Sequence, residues 1–337
     1  MRYMDRRTFG TSAVLALAGG LAAACSSASS PTASASSTSS ASSASDLSSV
    51  TLNIGDQKGT GAQAVLTAAG LIDTFPFKLS WADFTSGPPI LEAASAGSVD
   101  VGGVGDAPPV FAASGGESII IVGARSTAGG DQDAVLVPKG SSITTISDLR
   151  GKKIAYGSGS SANYQLLTVL KSAGLTSKDV TLVNLQPADA LAAFNSGSVD
   201  AWDVWPPYVQ QVQADGAKVI ATGASYGSPY SFQVASKSAV ANKAAALKIY
   251  LETLNKAYVW TANNPSDWAS AWAKATSLPI SVMDAAAAID KQRPVAIDST
   301  IIASEQNLVN QFYAAGLIPN KVDISSYITT QFNDTVS

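Results

Sequence analysis

A loop rich in glycine and serine, YGSGSSAN at residues 156–163, is the first stretch whose residue types and spacing could bind a ligand. It lies between a predicted strand, GKKIAY, and a predicted helix. Backbone N–H groups at a helix N-terminus have no partner within the helix and carry the positive end of its dipole. With the hydroxyls of Ser160 and Ser161, they predict an anion site without a cationic side chain. An ordinary serine N-cap without ligand is the alternative.

The same loop fits a dinucleotide-binding fingerprint, because Gly157, Gly159 and Ala162 have the required spacing. That fingerprint needs an acid at the end of the following strand to hold a ribose. The following strand, DVTLVNL, ends without one, and its Asp179 stands at the opposite end. The sequence therefore predicts no nucleotide cofactor.

Other polar and aromatic residues follow predicted strands. Ligands of open α/β sheets bind at the carboxyl ends of the strands, so these residues are expected to line one crevice. Ser231, in the run SFQVASK, is included with them. The candidate ligand-binding residues are Gln57, Gly105, Asp106, Ser160, Ser161, Trp202, Asp203, Trp205 and Ser231.

The two tryptophans of VDAWDVW are spaced three apart, which places them on opposite faces of a strand. We therefore expect at most one of Trp202 and Trp205 to contact ligand, and core packing is the alternative for each. A crevice with amide and hydroxyl donors on one side and indole rings on the other suits a small anion with an apolar tail.

Composition narrows the possible functions. The 337 residues carry a net charge of −4, with one Cys and no His. This charge does not favour nucleic acid. A single Cys excludes an internal disulfide and a cysteine-based zinc site, and the absence of His removes the commonest general base and metal ligand. We expect no metal, no cofactor and no catalysis. An exported hydrolase using Asp106 and Asp203 as a carboxylate pair is the enzymatic alternative.

An internal repeat predicts the architecture. GSVD occurs at residues 97–100 and again at residues 197–200, each time after a short Ala/Leu helix and before a β-type run that ends at a Pro-Pro pair. The repeated unit is helix, tight turn, strand and loop. We interpret it as a structural duplication that gives two similar α/β lobes.

The β-branched runs VTLNIGD, FKLSWADF, ESIIIVGAR, DAVLVPK, GKKIAY, DVTLVNL, AKVIATG and SFQVASK predict the strands of two mostly parallel sheets. From residue 239 onward, apolar residues at helical spacing predict helices that pack on the first lobe. The predicted lobe I is residues 50–135 with 234–337, and lobe II is 136–233. Two crossing segments, near 134–140 and 228–236, join them.

The N-terminus predicts export. An apolar run too short to span a bilayer follows Arg6 and Arg7, so residues 1–24 are interpreted as a signal peptide. DRRTF resembles the twin-arginine motif, and LAAAC resembles a lipobox that would make Cys25 the lipid attachment site. Residues 25–49 are mostly Ser, Ala and Thr, which predicts a flexible tether. A secretory signal with an incidental cysteine is the alternative.

The segments IGDQKGTGA, WADFTSGPPILEAASAGSVDVGGVGDAPPVFA, LQPADALAAFNSGSVDAWDVWPPYV and EQNLVNQFYAAGLIP resemble the aliphatic-sulfonate-binding proteins of ABC importers. The resemblance covers nearly all of residues 50–320. It implies a bilobed type II periplasmic-binding-protein fold, with two Rossmann-like lobes. The implied partners are a sulfonate ligand and an ABC permease with its ATPase, with the chain a monomer anchored through lipidated Cys25 outside the membrane.

Two departures from the family pattern bear on the ligand. Ala107 stands where the family has Thr, which removes a hydroxyl donor, and Asp203 is an additional acid. Asp133 replaces an expected Glu. An acid near the pocket would favour a ligand that also carries an amine, or would repel a second anionic group on the ligand. The leading prediction is capture of aliphatic sulfonates as a sulfur source, with taurine, nitrate or a thiamine-precursor pyrimidine as alternatives.

Overall fold

Two separate β-sheets form the framework of a computed structural model that describes residues 47–57, 59–127, 132–225 and 227–336. The predicted signal peptide, Cys25 and nearly all of the predicted tether lie outside these residues. Within the described ranges, no helix is long and apolar enough to cross a membrane.

The first sheet has six strands in the order β11-β4-β10-β3-β1-β2. Its strands β1, β2 and β3 are mutually parallel, whereas β10 runs antiparallel to both β3 and β4, and β11 runs antiparallel to β4. The strands are β1 (Thr51–Gln57), β2 (Lys78–Phe84), β3 (Val101–Val104), β4 (Ile119–Thr127), β10 (Tyr230–Ser236) and β11 (Gln292–Val295).

The second sheet has five strands in the order β7-β6-β8-β5-β9. Here β6 is parallel to β7 and β8, while β5 is antiparallel to β8 and β9. Both sheets are therefore mixed, which corrects the expectation of mostly parallel sheets. The strands are β5 (Ala134–Val137), β6 (Lys153–Tyr156), β7 (Thr181–Asn184), β8 (Ala201–Val204) and β9 (Lys218–Thr222).

Helices pack on both sheets. The sequence analysis did not predict α3 and α6, the helices at the Pro-Pro pairs that come after the two GSVD copies. Pro108 and Pro109 lie in the first turn of α3, where proline is tolerated because that turn needs no intrahelical N–H bond. The helices are α1 (Ala62–Ala68), α2 (Gly87–Ser95), α3 (Ala107–Ser114), α4 (Ser161–Ser172), α5 (Pro187–Asn195), α6 (Tyr208–Ala214), α7 (Lys237–Asn242), α8 (Ala244–Asn263), α9 (Pro265–Thr276), α10 (Ile280–Ile289) and α11 (Ser299–Ala314).

The chain passes between the two sheets twice. The first passage lies between Thr127 and Ala134 and the second between Thr222 and Tyr230. Both start earlier than the predicted crossing segments. Ala134 already pairs with Val204 inside the second sheet, and Tyr230 already pairs with Ser126 inside the first. We call the first sheet with its helices lobe I and the second sheet with its helices lobe II.

The GSVD repeat has the same structural role in both lobes. The backbone of Asp100 bonds to the Asn53 carbonyl at 2.7 Å, and its carboxylate accepts from the Asn53 N–H at 2.7 Å. Asp200 and Lys153 make the same two bonds, both at 2.8 Å. Each aspartate therefore ties the start of one strand, β3 or β8, to the neighbouring strand, β1 or β6.

The glycine of each repeat has a positive φ, 80° at Gly97 and 72° at Gly197, which favours glycine over any other residue. This backbone conformation ends α2 and α5 and turns the chain into the strand. In lobe I the repeat carries an additional contact, because the Asp100 carboxylate also accepts from Lys243 Nζ at 2.6 Å.

Replacing Asp100 by Ala should destabilise the protein more than replacing Asp200 by Ala. The first change removes the acceptor of the Asn53 N–H group and the carboxylate partner of the partly buried Lys243 ammonium, which keeps its hydrogen bond to the Thr51 carbonyl. It should lower the free energy of unfolding by about 3 kcal/mol. The second change removes the acceptor of the Lys153 N–H group and should lower the free energy of unfolding by about 1 kcal/mol. Urea denaturation measures both, with Asp284→Ala on the exposed face of α10 as the control. An equal cost at Asp100 and Asp200 would contradict a stabilising role for Lys243.

Candidate functional site

A cavity of about 190 Å³ lies between the lobes, at the carboxyl ends of strands from both sheets. The cavity lies there because the residues that follow parallel strands meet at one edge of the sheet. Seven of the nine predicted ligand-binding residues line it: Gln57, Gly105, Asp106, Ser160, Ser161, Trp205 and Ser231.

The two lobes touch around this cavity. At one edge, Thr85 Oγ1 and Ser86 Oγ of lobe I both donate to Gln186 Oε1 of lobe II, at 2.8 and 3.1 Å. On α11, Gln311 Nε2 donates to the Tyr164 hydroxyl of α4 at 3.1 Å. These hydrogen bonds join the two lobes through residues outside the cavity lining.

The loop before α4 has the conformation that its sequence predicts, but its two serines have different roles. The Ser160 hydroxyl donates to the Gly157 carbonyl at 2.7 Å and accepts from Asn163 N–H at 3.3 Å, so it is the helix N-cap. Gly159 has φ +73°. The prediction that Ser160 offers a hydroxyl donor to a ligand is therefore corrected, because that proton is used within the loop.

Ser161 faces lobe I. A Cβ built on Gly105 would lie 3.2 Å from Ser161 Cβ and 3.3 Å from its Oγ, so only glycine at position 105 allows this approach without displacement. The hydroxyl of Ser161 and the first-turn N–H groups of α4 are thus the donors that lobe II contributes to the cavity.

Asp56 and Gln57 end strand β1 at the cavity. The Asp56 carboxylate lies over the start of α1, where Gln63 N–H donates to it at 3.4 Å, and a Cβ on Gly61 would collide with its Oδ1 at 2.0 Å. Burial raises the pKa of Asp56 to about 7, and backbone hydrogen bonds only partly offset this. Gln57 Nε2 donates to the Gly103 carbonyl at 3.3 Å, which orients its amide.

Asp106 is the N-cap of α3, where its Oδ1 accepts from Ala107 N–H at 2.8 Å. Glu305, on α11, is fully buried. Burial raises the pKa of Glu305 well above its usual value, and the nearby Asp106 raises it further. Lobe I therefore places a second, buried acid behind the acid that lines the cavity.

Trp202 and Asp203 do not line the cavity, which corrects their prediction as ligand-binding residues. Trp202 is 1% exposed and packs against Phe194 and Tyr208, with ring centroids 5.9 and 5.7 Å apart. Asp203 is fully buried within the second sheet, opposite Val135. Trp205, just beyond the end of β8, is the tryptophan of the pair that reaches the cavity.

Sequence analysis missed the cation of the cavity, Arg125 at the end of β4. It is 7% exposed, its Nε donates to Gln292 Oε1 at 2.8 Å, and its guanidinium lies 4.0 Å from the centre of the Tyr258 ring. Cation–π contact and the Gln292 bond fix its orientation. A charged residue inside the apolar run IIIVGARST was the available signal.

Two further tryptophans were also missed. Trp268 and Trp272 of α9 line the cavity and stack on each other, with centroids 4.9 Å apart and ring planes 17° apart. Asp290, directly after α10, accepts from Gln292 Nε2 at 2.9 Å, and burial raises its pKa. These residues come from the C-terminal helices, whose apolar spacing indicated only packing.

The cavity is suited to binding an acceptor-rich small molecule. Among the described residues, no group of three or more His, Cys, Asp or Glu side chains converges as a metal site. Donors are contributed by Ser161 and the α4 N-terminus from lobe II and by Arg125 from lobe I, while the indole rings and Tyr258 supply apolar walls.

Sequence and structure comparisons agree with this geometry. The NMT1/THI5-like family matches residues 88–268. The alkanesulfonate-binding protein SsuA of Xanthomonas axonopodis pv. citri, solved with MOPS bound, is 32% identical, with a TM-score of 0.79 over 84% of this chain and 99% of that chain. The periplasmic aliphatic sulphonate-binding protein SsuA of Escherichia coli is 33% identical, with a TM-score of 0.72 over 83% of this chain and 92% of that chain.

The taurine-binding periplasmic protein of Escherichia coli K12 is similar over a shorter stretch, 36% identical over 41% of this chain and 42% of that protein. These relatives are binding proteins, and the two SsuA structures share the two-sheet fold described above. The chain belongs to the NMT1/THI5-like family and, within it, to the aliphatic sulfonate-binding proteins of ABC importers.

Proposed function

We propose that this protein captures aliphatic sulfonates outside the cytoplasmic membrane and delivers them, as a monomer, to an ABC permease with its ATPase for use as a sulfur source. The observation that carries the proposal is the cavity between the lobes, where the α4 N-terminus and Ser161 offer donors beside the aromatic walls of Trp205 and Trp272. The likeness to sulfonate-binding relatives over most of the chain supports the ligand class.

A sulfonate suits these donors because of its negative charge and the number of its acceptor oxygens. It is ionised at physiological pH and has three acceptor oxygens, and each charge-assisted hydrogen bond contributes about 1.5 to 3 kcal/mol. Three such bonds, less the cost of immobilising the ligand and closing the lobes, correspond to binding on the order of micromolar.

The site favours binding of a ligand without catalysis. The hydrolase alternative requires Asp106 and Asp203 to act as a pair in one site, but Asp203 is buried in the second sheet and does not line the cavity. Two carboxylates that flank no common cavity cannot share a substrate. We therefore propose that the ligand leaves the protein chemically unchanged.

We also propose the route by which the protein reaches its place of action. Residues 1–24 are the signal peptide, Cys25 carries the lipid, and residues 25–49 are the tether that separates the membrane from the two lobes. The run of small residues before the single cysteine supports this assignment.

Replacing Ser161 by Ala should weaken the binding of butanesulfonate at least tenfold, because it removes one charge-assisted hydrogen bond worth about 1.5 to 3 kcal/mol. The melting temperature should change little, since Ser161 is not the helix cap. Isothermal titration calorimetry on residues 46–337 measures the affinity.

Ser160→Ala is the matched control. It removes the N-cap of α4 and should lower the free energy of unfolding by about 1 kcal/mol, with a smaller effect on affinity than Ser161→Ala. If Ser161→Ala binds butanesulfonate as tightly as the wild type, the α4 N-terminus does not hold the sulfonate.

Sulfonate affinity should fall as pH rises from about 6 to 8. Asp56, whose pKa is raised to about 7, is neutral below this range and negatively charged above it, and a carboxylate beside the cavity repels an anion. A repulsion of about 1 kcal/mol corresponds to about fivefold in affinity. Asp56→Asn should flatten the profile, as calorimetry at several pH values would measure.

The same ionisation should be visible without ligand. Because the pKa of Asp56 in the folded chain lies above its unfolded value, its contribution to stability is present at acid pH and is lost as pH rises from about 4 to 7. Asp56→Asn should remove that decline in the free energy of unfolding. An unchanged decline in the variant would assign it to another group.

Cys25→Ser should release the protein from the membrane. A thioether-linked lipid requires the cysteine sulfur, so the wild type should fractionate with membranes and enter the detergent phase, whereas the variant should be soluble. Ser26→Ala is the control. Membrane association that persists in Cys25→Ser would contradict lipidation at this position.

A further inference from the structure

Arg125 is a buried cation that lines the cavity and has a donor without a partner among the described residues. Its Nε is bonded to Gln292 and its guanidinium rests on the Tyr258 ring, but its Nη1 makes no hydrogen bond to any described residue. Arg125 is 7% exposed, so bulk water gives this N–H group little compensation. An acceptor on a bound molecule is the group that would satisfy it.

Trp272 presents a second donor of the same kind. It lines the cavity, is 3% exposed, and its indole Nε1 has no hydrogen-bond acceptor within the described ranges. Its ring is fixed by the stack with Trp268. Both donors belong to lobe I, whereas the proposed sulfonate site lies at the α4 N-terminus of lobe II.

The acids of the cavity do not call for a cationic ligand group, because each already has a partner. Asp56 accepts from Gln63 N–H, Asp106 from Ala107 N–H and Asp290 from Gln292 Nε2. Asp133 is not free either. Arg125 Nη1 and Trp272 Nε1 are two unmatched donors at the lobe I end, and an amine there would add a third.

We propose that the preferred ligand is a sulfonate that carries a carboxylate at its other end, and that Arg125 and Trp272 bind this carboxylate. The inference rests on the proposed sulfonate function and specifies the substrate class of that site. The sulfonate lies at the α4 N-terminus and Ser161, and the carboxylate accepts from Arg125 Nη1 and Trp272 Nε1.

Selectivity follows from the cost of leaving a buried donor unpaired. A saturated alkyl tail against Arg125 would exclude water from the guanidinium and offer it no acceptor, which opposes binding. A carboxylate of the same shape removes that cost and adds a charge-assisted bond. Sites built to bond a polar group reject isosteres that lack it.

The test compares two ligands of matched shape, 3-sulfopropionate and 3-methylbutane-1-sulfonate, in which two methyl groups replace the two carboxylate oxygens. Calorimetry would measure both affinities for the wild type, Arg125→Met and Trp272→Phe. Arg150→Met removes an exposed arginine of lobe II and controls for net charge. Melting temperatures check that every variant is folded, and Arg125→Lys provides a second variant if Arg125→Met is not.

We expect the wild type and Arg150→Met to bind 3-sulfopropionate at least tenfold more tightly than its isostere. Arg125→Met should abolish this preference and bind the isostere at least as well as the wild type does. Trp272→Phe should reduce the preference severalfold, and Arg125→Lys should retain part of it.

Equal wild-type affinities for the two ligands would overturn the proposal and leave sulfonate capture intact. A loss of both ligands in folded Arg125→Met would also overturn it, because Arg125 would then hold the sulfonate itself. If the wild type binds neither these ligands nor butanesulfonate, the proposed function fails together with the inference.

Discussion

The backbone N–H groups in the first turn of α4 cannot be satisfied by the helix itself, and the cavity is organised around them. Ser160 uses its hydroxyl to cap one of them, that of Asn163, and so fixes the loop. Lobe I approaches this helix end through Gly105, a position where a side chain would press on Ser161. Glycine at position 105 thus allows the close approach of the two lobes at the site.

The parts of the site that depend on local sequence could be predicted. The loop before α4 follows from its glycines and serines, and the two lobes follow from the GSVD repeat. The alternation of a strand also limited Trp202 and Trp205 to one ligand contact. Which of them reaches the cavity depends on where β8 ends, and the sequence does not mark that residue.

The parts that depend on distant residues could not be predicted. Arg125 is stable inside the protein because Gln292, 167 positions away, accepts from it and Tyr258 lies under its guanidinium. Neither partner is near it in sequence. Asp203 was misassigned because it was grouped with Trp205, which lies beyond the end of β8 and lines the cavity, whereas Asp203 lies within β8 and is buried. The helix α3 was missed because Pro108 and Pro109 were interpreted as the end of a strand, whereas they lie in the first turn of the helix.

The two passages between the sheets begin and end side by side. Tyr230 pairs with Ser126 on one side and Ala134 with Thr222 on the other, while Thr127 N–H donates to the Pro229 carbonyl at 2.9 Å. Lobe II therefore begins and ends at neighbouring points, as an inserted domain does, and lobe I is continuous around it in space although interrupted in sequence. A segment whose two ends lie close together can be replaced by a homologous segment without changing the path of the rest of the chain. Evolution can therefore vary the lobe II wall of the cavity independently of the lobe I wall.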